Sequence, residues 1–434
     1  MPEIRPFAGI RYNLEKIKDF KKVAAPPYDV IDPAGHAELL SRHDRNCVRL
    51  ILGDNPGQVG DYTKGARLME QWMSDGTLIR DTSPKYYLIE DSFLLPGENA
   101  PRRRWGIIGR VRLEPLDTGR IHPHERTHKG PKEDRLRVMK AFRTNLSQVF
   151  ALFDGDADSV KDTLTGTFAS TPEVDITDGD GIGRKMWVID DRKVITRLSD
   201  LLSDRDFFIA DGHHRYETAL AYAREMADDD PDPTPEKGYN FLMMALVGME
   251  DPGLAILPTH RLLYGFDDFE FSKFSDCLAR FFEITSVKPE IEAAIRAGLP
   301  PKRMNGRGFL LYDPAGNSFV RARMRDGLDL GKEIPNLSKP VRELDVTLAE
   351  QFVMMRCLGM TREQIGHQEH LEYFKDVTQA MERARTGGQI LIVMHSTDMK
   401  DLVAVTSARE RMPQKSTFFF PKLLTGLVFY NHGD

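Results

Sequence analysis

Apolar positions recur along this chain with two periods, and the alternation between them sets out its elements. A helical spacing of apolar residues predicts helices over 62–75, where Ala66, Leu68, Met69 and Trp72 carry the pattern, and over 135–148, 159–168, 274–282, 344–358 and 377–386. Short runs of aliphatic and aromatic residues bounded by turn formers predict strands over 86–90, 105–113, 207–210, 241–247, 254–257 and 389–395. Pro314-Ala315-Gly316-Asn317 separates two further strands, 308–313 and 318–323, as the turn of a hairpin. Tyr216, Ala219, Leu220, Ala223 and Met226 share one face of a helix that begins just after Gly212. The stretch from Phe418 to Tyr430 is too apolar to hang free and is expected to dock back onto the body.

Together these elements predict an α+β fold with a mixed-sheet core and additional α/β subdomains. With 434 residues, two or three domains are expected. Shifts in texture suggest an N-terminal α/β region over 1–154, a middle region over 155–264 and a C-terminal α/β region over 265–434.

Composition narrows the classes of function. Apolar residues make up 41% and charged residues 29%, which suits a globular protein. A formal net charge of -6 argues against DNA binding, which needs a dominant basic surface, but leaves room for a local basic pocket. Cys47, Cys277 and Cys357 are far apart and odd in number, so neither a disulfide framework nor a thiolate metal site is expected, and a reducing, cytoplasmic setting fits. The first residues lack a signal-peptide pattern, and no apolar stretch is long enough to span a bilayer.

The chemistry concentrates at Asp211-Gly212-His213-His214-Arg215. A strand, a glycine turn and a helix start in that order leave backbone N–H groups without intrahelical partners at the positive end of the helix dipole. Such a terminus attracts anions, and Gly212 lets a ligand come close to the backbone. Arg215 can fork onto phosphate oxygens while the two imidazoles donate further hydrogen bonds. Asp211 either caps the helix or helps to hold Mg²⁺.

Three further segments carry candidate groups. His122-Pro123-His124-Glu125 and the residues up to Arg135 offer imidazoles for a metal, Glu125 as a general base, and Lys129, Lys132 and Arg135 as phosphate-neutralising cations. Met412-Pro413-Gln414-Lys415-Ser416-Thr417 sets Lys415 and Ser416 beside backbone N–H groups, without the glycines of a Walker loop. Pro26-Pro27-Tyr28-Asp29 is a rigid turn that can present Asp29 to a cleft. Pro258-Thr259-His260-Arg261 places a His-Arg pair at a strand end, a weaker signal.

Read together, the Ala25–Ile31 loop, His124-Glu125-x-Thr127, Gly130–Arg135, Ala210–Tyr216, Leu257–Arg261 and Met412–Thr417 resemble the collinear landmarks of the domain-of-unknown-function 1015 family, often labelled ParB-like. More distantly, Gly212-His213-His214-Arg215 resembles the phosphate-binding element of the ParB/sulfiredoxin superfamily, whose members include free-serine kinases with a similar Asp-Gly-His-His-Arg run. His213 stands where sulfiredoxins carry their reactive cysteine, so thiol chemistry does not transfer, and no helix-turn-helix is apparent.

The resemblance implies a kinase that uses ATP or ADP with Mg²⁺ and phosphorylates a small hydroxylated metabolite, L-serine first among them. In that reading Asp211 to Arg215, Lys415 and Ser416 seat the nucleotide, His213 or His214 stabilises the transferred group, and Glu125, or else Asp29, accepts the substrate proton. Two other readings stay open: a nucleotide-binding regulator without turnover, and a metal-dependent phosphatase or nuclease built on His122, His124 and Glu125. The sequence neither fixes nor excludes a homo-oligomer, and it does not say whether the polar segments meet.

Overall fold

The computed structural model describes residues 2–58, 61–116, 119–125 and 129–433, without the side chains of 129–131. It is an α+β protein built on two large sheets. In spatial order the first sheet runs Ile121–Pro123, Phe207–Asp211, Val149–Phe153, Phe241–Gly248, Arg102–Arg112, Tyr86–Phe93, Gly183–Ile189 and Val174–Thr177, with Ile4–Arg5 added on Arg102–Arg112. It is mixed. Ile121–Pro123 lies parallel to Phe207–Asp211, and Val149–Phe153 parallel to Phe241–Gly248, while the other pairings are antiparallel. Every residue of Phe241–Gly248 is buried, as expected of an apolar run covered on both faces. Strands on both sides of residue 155 enter this one sheet.

The second sheet has six antiparallel strands in the order Phe282–Ser286, Ser318–Met324, Gly308–Asp313, Ile390–Val393, His260–Leu263 and Leu371–Phe374. Its hairpin pairs Asp313 with Ser318 across the expected turn. The tail docks as its apolarity demands. Phe418–Phe420 pairs with Ala255–Leu257, Thr425 bridges to Ala25, Phe429 to Ile10, and Tyr430–Asn431 pairs with Thr144–Asn145.

Local chemistry explains most element ends. The helix Tyr62–Ser74 starts where the Asp61 side chain accepts the Lys64 N–H, and it buries Met69 and Trp72. The helix expected over 135–148 instead spans Lys129–Phe142. Arg143 takes a left-handed φ of 47° and stops it, and Asn145 turns to accept the Met243 N–H. The helix expected over 159–168 divides into Ala157–Thr163 and Thr165–Ala169. The one expected over 274–282 is Phe271–Leu278, and Phe282 already begins a strand. Over 344–358 a short α-helix, Asp345–Leu348, widens into π-helical turns at Ala349–Cys357.

One expectation is overturned. Cys277 and Cys357 form a disulfide with their Cα atoms 5.8 Å apart, although 80 residues separate them in sequence. The helix Phe271–Leu278 and the π-helical segment pack together and bring the two sulfurs face to face, which spacing alone does not reveal. Cys47 is free and buried.

Candidate functional site

Strand Phe207–Asp211 and the 17-residue helix His213–Asp229 meet at Gly212, whose φ of 93° and ψ of 28° lie in the left-handed region. A Cβ there would stand 2.9 Å from Nη2 of Arg215, so both conformation and space favour glycine. Within the strand the register against Val149–Phe153 shifts between Ile209 and Asp211. This bulge re-aims Asp211 at the end of the strand. The helix opens on a cleft of about 550 Å³. Glu125, Asp29, Lys415 and the turn Asp211–Arg215 all line it, so the separate polar segments of the sequence converge.

The helix start holds an ion cluster. Asp211 accepts from Nη2 of Arg215 at 2.9 Å and from Nζ of Lys422. Burial by itself would push the Asp211 carboxyl up, but Lys422 and Arg215 outweigh it and hold it well below the usual carboxylate range. Nη1 of Arg215 donates to Ser147 Oγ at 3.1 Å and to the Gln148 carbonyl, while its Nε is buried without a partner. The Arg215 guanidinium is therefore turned onto the protein at one wall of the cleft rather than held out for a ligand. With two cations on its carboxylate, Asp211 fits a divalent ion poorly. Among the described residues no group of three or more His, Cys, Asp or Glu side chains is placed to hold a metal.

The histidines divide. His213 is 8% exposed, and its Nε2 accepts the His124 N–H at 3.3 Å. Burial holds it well below the usual imidazole range, so it is neutral and does not supply positive charge to a transferred group. His124 lies edge-on to it at 4.6 Å. Its Nδ1 donates to the Ile209 carbonyl at 2.6 Å, and Nε2 lies 2.7 Å from Thr417 Oγ1. Burial pushes His124 down to about 4. Both of its ring nitrogens are used by the protein, and His122 turns instead to Asp206 at 3.2 Å, so the two imidazoles do not converge as metal ligands. His214 lines the cleft.

Glu125 is held by the C-terminal strap. It bridges in parallel to Met412, whose N–H donates to the His124 carbonyl at 2.8 Å. Lys415, with a left-handed φ of 53°, donates its N–H to Glu125 Oε1 at 3.0 Å. The buried Arg261 fixes that strap by donating to the Lys415 carbonyl at 3.2 Å. Burial raises the Glu125 carboxyl above its ordinary range, more than the Lys415 N–H lowers it. Asp29 sits exposed in the turn Tyr28–Val30 at the rim.

Several expected contacts are not made. Ser416 is buried and donates its hydroxyl to the Pro413 carbonyl, so Thr417 faces the cleft in its place. Lys132 pairs with Glu217 at 2.8 Å, and Arg135 pairs with Asp134 and stacks over Tyr28 at 4.0 Å. Arg126, Thr127, His128 and the Lys129 side chain lie outside the described residues. Conversely, Lys375, Lys422, Tyr373, Phe418 and Gln368 line the cleft without a local motif to announce them.

Three comparisons set this architecture beside known proteins. Among solved structures, a conserved hypothetical protein from Pyrococcus furiosus aligns with a TM-score of 0.35 and 12% identity over 73% of this chain and 92% of its own. A free serine kinase in complex with AMP aligns with a TM-score of 0.34 and 12% identity over 72% of this chain and 86% of its own. A variant of a free serine kinase in complex with ADP gives 0.35 and 11% over 75% and 91%. No curated protein matches the sequence. Among the described residues, no helix is long and apolar enough to cross a membrane. The family described as "Protein of unknown function (DUF1015)" matches residues 4–347, and the chain belongs to that family.

Proposed function

We propose that this protein is a nucleotide-dependent phosphotransferase acting on a small hydroxylated metabolite. The observation that carries this reading is that one cleft holds a glycine-started helix terminus, three lysines and a carboxyl raised by burial. Helix N–H groups and lysines are what nucleotide phosphates require, and the helix start and the lysines line the same cleft. Phosphoryl transfer then rests on positioning and charge neutralisation. The substrate hydroxyl oxygen forms a bond to the terminal phosphorus as the bridging P–O bond breaks. The shortened nucleotide leaves with that electron pair, and Glu125 takes the hydroxyl proton. Asp29, at the rim, orients the acceptor. Because Asp211 is neutralised by Lys422 and Arg215, no step is assigned to a metal bound by it.

The resemblance of Ala210–Tyr216 to free-serine kinases makes L-serine the first acceptor to test. A thermal-shift screen with ATP, ADP and CTP, followed by incubation with L-serine and assay for phosphoserine, tests the reading. Stabilisation by an adenine nucleotide together with phosphoserine supports it. Stabilisation without turnover of any hydroxylated acceptor favours the regulator, and absence of any nucleotide response overturns both.

A further inference from the structure

The cations in the cleft are unequally matched. Lys422 and Arg215 share the Asp211 carboxylate, whereas among the described residues Lys375 and Lys415 have no carboxylate ion-paired to them. Lys375 and Lys422 nevertheless crowd the same aromatic ring. Their ammonium nitrogens lie 4.2 Å and 4.6 Å from the centroid of Phe418. That shared ring keeps the two charges within roughly 9 Å of each other, a distance comparable to the screening length of about 8 Å at physiological salt. The cost shows in Lys375, which burial first and then Lys422 and Lys415 depress more than Asp29 and Asp180 raise it. Two lysines without an ion-paired carboxylate, one of them crowded against Lys422, in a chain whose formal net charge is -6, point to a ligand that brings negative charge to that side of the cleft.

The placement adds a second point. Lys375 follows the strand Leu371–Phe374 of the six-stranded sheet, whereas Asp211 and Gly212 end a strand of the nine-stranded sheet. The cleft therefore has a basic wall on each side, and all three lysines lie beyond residue 347, where the family match ends. A single phosphate at the helix start would leave the Lys375 wall uncompensated.

We infer that Lys375 and Lys415 form a clamp for an oligophosphate, a ligand carrying at least two linked phosphates, closed onto the Gly212 helix start from the opposite sheet. This rests on, and deepens, the nucleotide reading, since it requires a di- or triphosphate rather than a monophosphate. Isothermal titration of the full chain with inorganic pyrophosphate, tripolyphosphate and orthophosphate tests it, with ADP and AMP alongside. The expected result is tripolyphosphate and pyrophosphate binding at least tenfold tighter than orthophosphate, and ADP tighter than AMP. Lys375→Met should weaken pyrophosphate at least tenfold, Lys375→Arg should restore most of that loss, and Lys273→Ala, on the exposed side of another helix, should change nothing. Circular dichroism and an unchanged melting temperature confirm that Lys375→Met is folded, and if it is not, Lys415→Met gives the same reading. Adenine nucleotide binding that ignores both substitutions, or that does not distinguish ADP from AMP, overturns the clamp and leaves the proposed function standing. Failure of every phosphate and nucleotide to bind overturns both.

Discussion

Gly212→Ala tests the geometry on which the site depends. Two costs are expected. The backbone at φ 93° and ψ 28° lies where a Cβ is disfavoured, which costs about 1–2 kcal/mol. The new methyl also falls 2.9–3.0 Å from Nη2, Cζ and Nε of Arg215. Relief requires the guanidinium to move, and it is held by Asp211, Ser147 and the Gln148 carbonyl. Weakening those charge-assisted bonds adds about 1.5–3 kcal/mol, so the substitution should cost about 2.5–5 kcal/mol in total. Denaturant unfolding of wild type, Gly212→Ala, Arg215→Ala and the double variant separates the two terms. In the Arg215→Ala background only the backbone cost of about 1–2 kcal/mol should remain. Equal costs in the two backgrounds, or a total below about 0.5 kcal/mol, would refute the packing of Arg215 against this turn.

Other predictions follow from the same site. Glu125→Gln should leave nucleotide binding intact and lower the phosphotransfer rate by about 100-fold or more, checked by titration and single-turnover assay. The Glu125 carboxyl is raised in the folded protein, so wild type loses stability as pH climbs from the ordinary glutamate range through the raised value; Glu125→Gln should remove that slope and match wild type only at acid pH. Asp211 is shifted the other way, and its contribution is present above the ordinary aspartate range and fades as pH falls toward its depressed value. Asp211→Asn should cost about 3–5 kcal/mol at neutral pH by leaving two half-buried cations unmatched, and a loss under about 1 kcal/mol would contradict the ion cluster. Opening the Cys277–Cys357 link with reductant should lower stability by about 3–5 kcal/mol in denaturant unfolding. Thiol titration of the unfolded, unreduced chain should find Cys47 alone.

The sequence disclosed the part of the site that is local. Strand, glycine and helix at Phe207–Asp229 need only neighbouring residues, and the helix begins where Gly212 predicts. The docking of the tail also followed from composition, because an aromatic run has few alternatives to burial. What stayed hidden depends on partners distant in sequence. Arg215 looked like a ligand hand, yet Gln148 and Ser147 lie beside it only because Val149–Phe153 pairs with the strand before it. Lys375 and Lys422 sit in segments without a motif and acquire meaning from a shared Phe418 ring. Ser416 and His213 have the right chemical types, but a carbonyl and a neighbouring amide claimed them first. The cysteine arithmetic failed for the same reason, since contact across 80 residues is a tertiary fact.

The docked tail has a bearing on how the protein comes into being. Thr425 and Phe429 clasp Ala25 and Ile10, and Lys415 and Lys422 complete a cleft begun some two hundred residues upstream. During vectorial synthesis the nine-stranded sheet, whose last strand in sequence is Phe241–Gly248, can assemble well before those residues leave the ribosome. A nascent chain arrested short of residue 415 would therefore carry the Lys375 wall but neither Lys415 nor Lys422, and the full set of cations would arrive late, as the last contacts seal the first ones.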